Sequence, residues 1–251
     1  MARLIQHILE KPRPCSYIAN EIASLEHRIM LDIEPEELDW LLERGHRRFG
    51  PDYFRPACSP CGQCLSTRIV VAEFKASRSQ RRARNRAAHL RIMVGPPQID
   101  TERLELYHKW HAEREVAREW SPSALTFEDY FHQFAFPHPC GRELAYYDDS
   151  AGGKLIAIGI CDETPRAWSA VYCFYDPAYN RLSLGTTNVL TMIDIAQAQG
   201  KPHVYLGYQV NACASLKYKA SFYPQEVLVG RPLDFEAPRW ERATAPTELD
   251  D

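Results

Sequence analysis

The chain has 251 residues, 45% hydrophobic and 25% charged, with a formal net charge of −3. That is ample apolar material for one large or two modest domains, and it excludes disorder as the default state. No apolar run approaches the ~20 residues that span a bilayer, and MARLIQHILEKPRPC lacks a secretory leader's apolar stretch and cleavage site, so a cytoplasmic protein with no membrane partner is expected. In that compartment the eight cysteines are metal ligands, buried hydrophobes or free thiols before they are a disulfide framework.

In chain order, Glu21 to Met30 is the first segment after the N-terminal stretch. PEELDWLLERG, residues 35–45, then opens on Pro and acids, carries an apolar stripe of Leu38, Leu41 and Leu42, and can close on Gly45, so it predicts a helix. Thr67 to Phe74 has the β-branched content of a strand. Ser77 to Leu90 reads as a helix, and GPP at 95–97 as a break where a domain boundary is placed. Beyond it, a long helix is expected from Glu102 to about Trp120, with Asp100 as its cap, and a shorter aromatic-rich one from Phe127 to Phe136. Strand signals follow at 143–147, 154–161 and 168–175, then a helix at 184–199 stopped by Gly200, and a strand at 203–208.

Strands in series, a helix and a return strand make an α+β pattern that resembles the core of the GCN5-related acyltransferase fold. The expected organisation is an N-terminal, cysteine-containing α+β domain (1–98), an acyltransferase-like domain (99–232) and an acidic, flexible tail (233–251). Acetyl-CoA enzymes of that fold carry a Q/R-x-x-G-x-G/A loop, whose amides hold pyrophosphate at a helix start. Here the corresponding place reads RLSLGTT, residues 181–187, with the wrong spacing, which argues for a different acyl donor.

Three constellations carry chemistry. Cys58, Cys61 and Cys64 form C-x2-C-x2-C, and with Cys15 as a fourth ligand they would suit zinc or an iron-sulfur cluster of structural or regulatory kind. Close packing near Pro60 is the alternative. From Phe74 to Ile99 there are seven Lys/Arg and no acid. On a helix Arg78, Arg81, Arg82 and Arg86 fall within an arc of roughly 140°, with Ala83, Ala87 and Leu90 elsewhere. Such a face fits a polyanion backbone, with a solvated surface helix as the alternative. Finally, Tyr208, Asn211, Lys217, Tyr218 and Lys219 crowd hydroxyls, an amide and ammoniums just after a predicted strand.

Several of these segments together carry a family resemblance. SLEHRIM (24–30), PEELDWLLERGHRRFGPDYFRPAC (35–58), VAEFKASRSQRR (71–82), SLGT (183–186), YLGY (205–208) and KYKASFYP (217–224) resemble the bacterial leucyl-tRNA-protein transferases, also called aspartate/glutamate leucyltransferases, and the related arginyl-tRNA-protein transferases. His46 stands where that family usually has Trp, and Gln209-Val-Asn211 follows YLGY where an aromatic is common. The resemblance implies transfer of leucine from charged tRNA to the α-amino group of proteins beginning with Asp or Glu, creating an N-degron. Arginyl-tRNA as donor, or a tRNA-binding module without catalysis, are the alternatives.

An aminoacyl ester is already activated, so the reaction needs alignment and oxyanion stabilisation, and no cofactor is required for the chemistry. On this reading Tyr208 and Asn211 line the reaction centre and Tyr218 relays a proton or stacks on the terminal adenosine. Lys217 and Lys219, together with Arg78, Arg81, Arg82 and Arg86, hold the tRNA. Arg47 and Arg48, with Arg55 in reserve, take the acidic side chain of the target, because a carboxylate favours a bidentate guanidinium.

Overall fold

Residues buried on both faces of a strand need cover above and below, and the runs LIAIGIC and HVYLGYQ are of that kind. The computed structural model describes residues 2–118 and 124–244. Its elements are β1 (Arg3–Leu9), β2 (Arg13–Pro14), β3 (Ile22–Ala23), β4 (Leu25–Leu31), α1 (Pro35–Glu43), β5 (Arg47–Phe49), β6 (Asp52–Pro56), β7 (Leu65–Val70), α2 (Arg78–Ala87), β8 (Arg91–Gly95), α3 (Thr101–Arg118), α4 (Phe127–Tyr130), β9 (Gly141–Asp148), β10 (Lys154–Glu163), β11 (Ala167–Tyr175), α5 (Leu184–Ala198), β12 (His203–Gln209), β13 (Gln225–Leu228) and β14 (Trp240–Arg242).

This is a mixed α+β architecture. Eight strands form one sheet in the order β14-β13-β7-β12-β11-β10-β9-β8, four form a second in the order β1-β4-β6-β5, and β2 pairs with β3. The large sheet is antiparallel except for β11 and β12, which run parallel and so need a crossover; α5 supplies it. One face of the large sheet packs Ile69, Tyr146, Ile156 and Trp168 against Leu190 and Ile193 of α5 and Ala87 of α2. The other packs Ala145, Ile158 and Phe174 against Leu106, Tyr107 and Trp110 of α3 and against Tyr130 and Phe134.

Local chemistry explains the helices. In α1, Glu34 and Glu37 form a reciprocal capping box with Pro35 in the first turn, and Leu38, Leu41 and Leu42 pack against Tyr53 and Tyr205. In α2, Ser77 and Gln80 form the same box, while the small Ala83 and Ala87 let the helix lie close and leave its arginines outside.

Two expectations are corrected. The break at 95–97 separates no structural unit, because β7 and β8, which precede it, are hydrogen-bonded into the large sheet beside β12 and β9. The supposed tail adds an edge strand, β14, which pairs with β13, so the part up to residue 244 is built into the fold; residues 245–251 lie outside the described residues. Of the strands, β7, β9, β10, β11 and β12 coincide with strand signals in the sequence, whereas β1 to β6, β8, β13 and β14 do not. Trp120, the expected end of the long helix, also lies outside the described residues.

The two larger sheets are joined by a buried ion pair. Arg48 on β5 donates from Nε to Asp162 Oδ1 of β10 at 3.0 Å and from Nη2 to the same oxygen, while Nη1 donates to Gly50 O at 3.0 Å. Both side chains are almost wholly enclosed. Removing one partner of such a pair leaves a bare charge inside, which costs about 3–5 kcal/mol. Asp162→Ala should therefore lower the unfolding free energy by about that amount, read from urea denaturation.

Candidate active site

β11 and β12 pair only over Ala167–Ser169 with His203–Tyr205. Beyond that point they part, aided by Gly207, whose φ of 73° and shifted register form a bulge in β12. A cavity of about 770 Å³ opens at the divergence. Its walls come from β4, β6 and β5 on one side and from β11 and β12 on the other. The first turn of α5, at Ser183, Gly185 and Thr186, the short 3-10 turn Lys217–Ser221 with residues 214–216 before it, Trp110 and Arg114 of α3, and Tyr17 also line it.

Arg47 occupies the divergence. Its Nη2 donates to the carbonyl of Ala170, the first β11 residue past the paired stretch, and its Nη1 is buried without a hydrogen-bond partner among the described residues. The guanidinium lies so close to Gly207 that a Cβ there would come within 2.2 Å of Nη1, so glycine is required both for the backbone angle and for this approach. No carboxylate of the described residues pairs with Arg47, and burial pulls its pKa down. A partly buried guanidinium on a cavity wall, with Nη1 unpartnered and no carboxylate paired to it, has the chemistry to receive an anion.

Lys219 is its neighbour. The structure turns this lysine into the cavity, where Nζ donates to Tyr208 O at 2.8 Å, instead of onto an outer tRNA-facing surface. Burial, and next the charge of Arg47, pull the ammonium down to about 7. Tyr208 lines the wall, but its hydroxyl is within bonding distance of two backbone carbonyls, Phe54 O at 3.0 Å and Gly45 O at 3.2 Å, and burial pushes its ionisation well up. That places it as a neutral tie between sheets. Tyr218 is 44% exposed on the cavity rim, edge-on to Phe222, where a flat ring remains accessible.

A pair that the sequence reading missed faces Arg47. His27 on β4 and Asp52 on β6 both line the cavity, with His27 Nδ1 at 2.9 and 3.1 Å from the Asp52 carboxylate oxygens. Direct register aligns His27 with Phe54 and Phe54 with Arg47, so the three side chains stand in a row on one face of the sheet. The signal was present in the alternation of LEHRIML and DYFRP, but only the register between strands shows that these residues meet.

Other expected residues are elsewhere. Arg48 is spent on Asp162, and Arg55 on Glu26 Oε2 at 2.7 Å and Pro232 O at 2.8 Å, so neither guanidinium is free for a substrate carboxylate. Asn211 is exposed, accepts a bond from Gln209 Nε2 at 2.9 Å, and does not line the cavity; Lys217 is also exposed and off the wall. Cys15, Cys58, Cys61 and Cys64 share a neighbourhood, and burial followed by the other three thiols pushes Cys64 up to about 11. Cys58 instead bonds the backbone of Ser24 at 3.4 Å, and Arg231 clasps the carbonyls of Cys58 and Cys61. Among the described residues no three His, Cys, Asp or Glu side chains form a metal-binding group, so the residues as placed do not fit the expected zinc or iron-sulfur centre.

Arg78, Arg81, Arg82 and Arg86 are all exposed on α2, as the helical arc requires. Arg86 Nη2 donates to Ser183 Oγ at 3.0 Å, which brings the basic face to the cavity mouth at the start of α5. Among the described residues no helix is long and apolar enough to cross a membrane.

The comparisons with known proteins agree with one another. The family profile described as the N terminus of arginine-tRNA-protein transferase matches residues 13–82, and that of its C terminus matches residues 102–229. An aspartate/glutamate leucyltransferase of Campylobacter jejuni is 36% identical over 224 residues, 88% of this chain and 92% of that protein. One of Helicobacter hepaticus is 34% identical over 240 residues, 95% and 98% of the two chains, and one of Pseudomonas fluorescens is 34% identical over 228 residues, 88% and 92%. The crystal structure of FemX aligns with 82% of this chain and 80% of its own at 8% identity and a TM-score of 0.44, too low to bear on function. The paired profiles and near-full-length relatives show that this chain belongs to the arginine-tRNA-protein transferase family and is an aminoacyl-tRNA-protein transferase.

Proposed function

We propose that this cavity moves leucine from leucyl-tRNA to the α-amino group of proteins that begin with Asp or Glu, marking them as N-degrons in the cytoplasm. The observation that carries the acceptor side is Arg47, a partly buried guanidinium with an unpartnered Nη1 and no carboxylate of its own. The side chain of a first-position Asp or Glu supplies the missing anion, and Lys219 beside it adds a second cationic donor. An alanine or lysine at the first position would leave the guanidinium unpaired or meet a like charge. The large sheet with its parted strands β11 and β12 is the acyltransferase-like half of the molecule, of GCN5-related type, and the segment before β7 supplies the acceptor wall.

On the donor side, Arg78, Arg81, Arg82 and Arg86 form the track for the tRNA backbone, with Lys217 near its inner end. Arg86 hands the acceptor end to the mouth at Ser183, where Tyr218 offers a ring for the terminal adenosine. The apolar cavity residues Val171, Val189 and Leu206 suit a leucyl side chain better than an arginyl one, since none of the three carries a charge to neutralise a guanidinium and the Asp52 carboxylate of this cavity is engaged with His27. The deciding experiment is transfer of labelled leucine, and separately arginine, from charged tRNA to peptides that begin with Asp, Glu, Ala or Lys. Leucine incorporation confined to the Asp and Glu peptides is the expected result, whereas arginine incorporation would change the donor.

Three further outcomes follow from the geometry. Arg47→Ala should lower kcat/KM for Asp and Glu peptides by about 10²-fold or more, the usual result of unpairing a buried charge, and should narrow the preference over Ala peptides. Arg78→Ala and Arg82→Ala should each raise KM for charged tRNA, leave KM for peptide unchanged, and flatten the log-log salt dependence of tRNA binding by ~1. Lys219, held near 7, is mostly neutral at pH ~8, and a carboxylate beside it favours the charged form. Binding of an Asp peptide at that pH should therefore take up a proton, seen by calorimetry in buffers of different ionisation enthalpy, and Lys219→Met should abolish the uptake.

A further inference from the structure

We infer that His27, oriented by Asp52, is the general base that accepts the proton of the attacking α-amine. The assignment rests on the acceptor reading above and deepens it. Asp52 engages Nδ1 of the imidazole at 2.9 Å. With that nitrogen carrying the proton, the lone pair is on Nε2, on the opposite side of a ring that lines the cavity.

The position suits the task. His27, Phe54 and Arg47 are register partners on three adjacent strands, so the backbones of His27 and Arg47 are about 10 Å apart. Both side chains line the cavity, on either side of that ~10 Å gap. An Asp or Glu whose carboxylate is held by Arg47 then presents its α-nitrogen toward His27. The ring of Phe54 floors the gap, 6.0 Å from the imidazole centroid. Carboxylate, imidazole and nucleophile thus form the orienter, base and attacking group in sequence.

In the reaction the target's α-ammonium first gives one proton to solvent. Its nitrogen attacks the ester carbonyl of the aminoacyl-tRNA, forming the new C–N bond, and His27 Nε2 takes the second proton as the charged tetrahedral centre forms. Collapse breaks the bond from that carbon to the ribose oxygen, and the imidazolium returns its proton to this oxygen. The products are the extended protein and tRNA with a free terminal hydroxyl. Asp52 stabilises the imidazolium without being protonated. The charged and titratable groups that line the same cavity as His27 are Tyr17, Arg47 and Arg48 of β5, Asp52 of β6, Arg114 of α3, Tyr172, Cys173 and Tyr175 of β11, Tyr208 of β12, and Tyr218 and Lys219 of the 217–221 turn.

The test is single-turnover transfer of leucine from charged tRNA to an Asp peptide at saturating peptide, between about pH 6 and 9, for wild type, His27→Ala, His27→Gln and Asp52→Asn. Each variant should keep its affinity for the Asp peptide, which also shows that it is folded. Transfer at neutral pH should fall ~10²-fold or more in both His27 variants, and the remaining rate should follow the free amine, with a midpoint of ~7.7–8.0. Added imidazole should restore part of the rate to His27→Ala and none to His27→Gln, whose side chain fills the space. The wild-type profile is repeated in Lys219→Met, where the limb that His27→Gln removes should persist. Wild-type rates and pH profile in the His27 variants, or a loss accounted for wholly by weaker peptide binding, would overturn the assignment. Failure of the wild type itself to use the Asp peptide would instead reject the acceptor reading, and the variants would then be measured on the acceptor that it does use.

Discussion

The buried pair between Arg48 and Asp162 is the contact on which the site depends. It fastens the small sheet to the large one across a region with little water to screen it, and it sets the rotation of β5 about its own axis. Because side chains alternate along a strand, turning Arg48 onto Asp162 obliges Arg47 to point the other way, into the cavity. Two adjacent arginines thus have opposite fates: one is neutralised and structural, the other is left without a carboxylate. The hydroxyl of Tyr208, bonded to carbonyls of the N-terminal layer, reinforces the same junction.

The cavity exists because a parallel pair of strands is allowed to part. An edge of backbone that loses its partner must find another, and Arg47 meets that need at Ala170 while its second nitrogen stays uncommitted. Gly207 makes the approach sterically feasible. The charges then sort themselves: Arg47 and Lys219 at the inner end, His27 and Asp52 across the β4-β6-β5 wall, and the arginines of α2 outside the mouth. On the proposed reading, an acceptor with a carboxylate near its amine and a donor with a phosphate backbone would be met by different faces of one junction.

Local patterns in the sequence were enough for α1, α2, α5 and the central strands, because capping residues, apolar spacing and β-branched runs act over a few residues. The outward arginines of α2 were likewise legible from helical spacing against Ala83 and Ala87. The boundary at 95–97 misled, since a Pro-rich break marks a change of direction and not the end of a sheet. β8 continues the same ladder as β9 through hydrogen bonds that no local signal announces. The cysteines show a related dependence: C-x2-C-x2-C gives thiols in proximity, but ligand geometry depends on how the loop is tied down, here by Ser24 and Arg231.

By itself the sequence determined the reaction class, through motifs in order along the chain, and the exposed basic face of α2. Which of Arg47, Arg48 and Arg55 stays unpaired, that Lys219 turns inward, and that His27 meets Asp52 were decided only by tertiary structure. The physical reason is that a charge's role depends on its partner, and these partners lie on other strands, as far away in the chain as Asp162 is from Arg48.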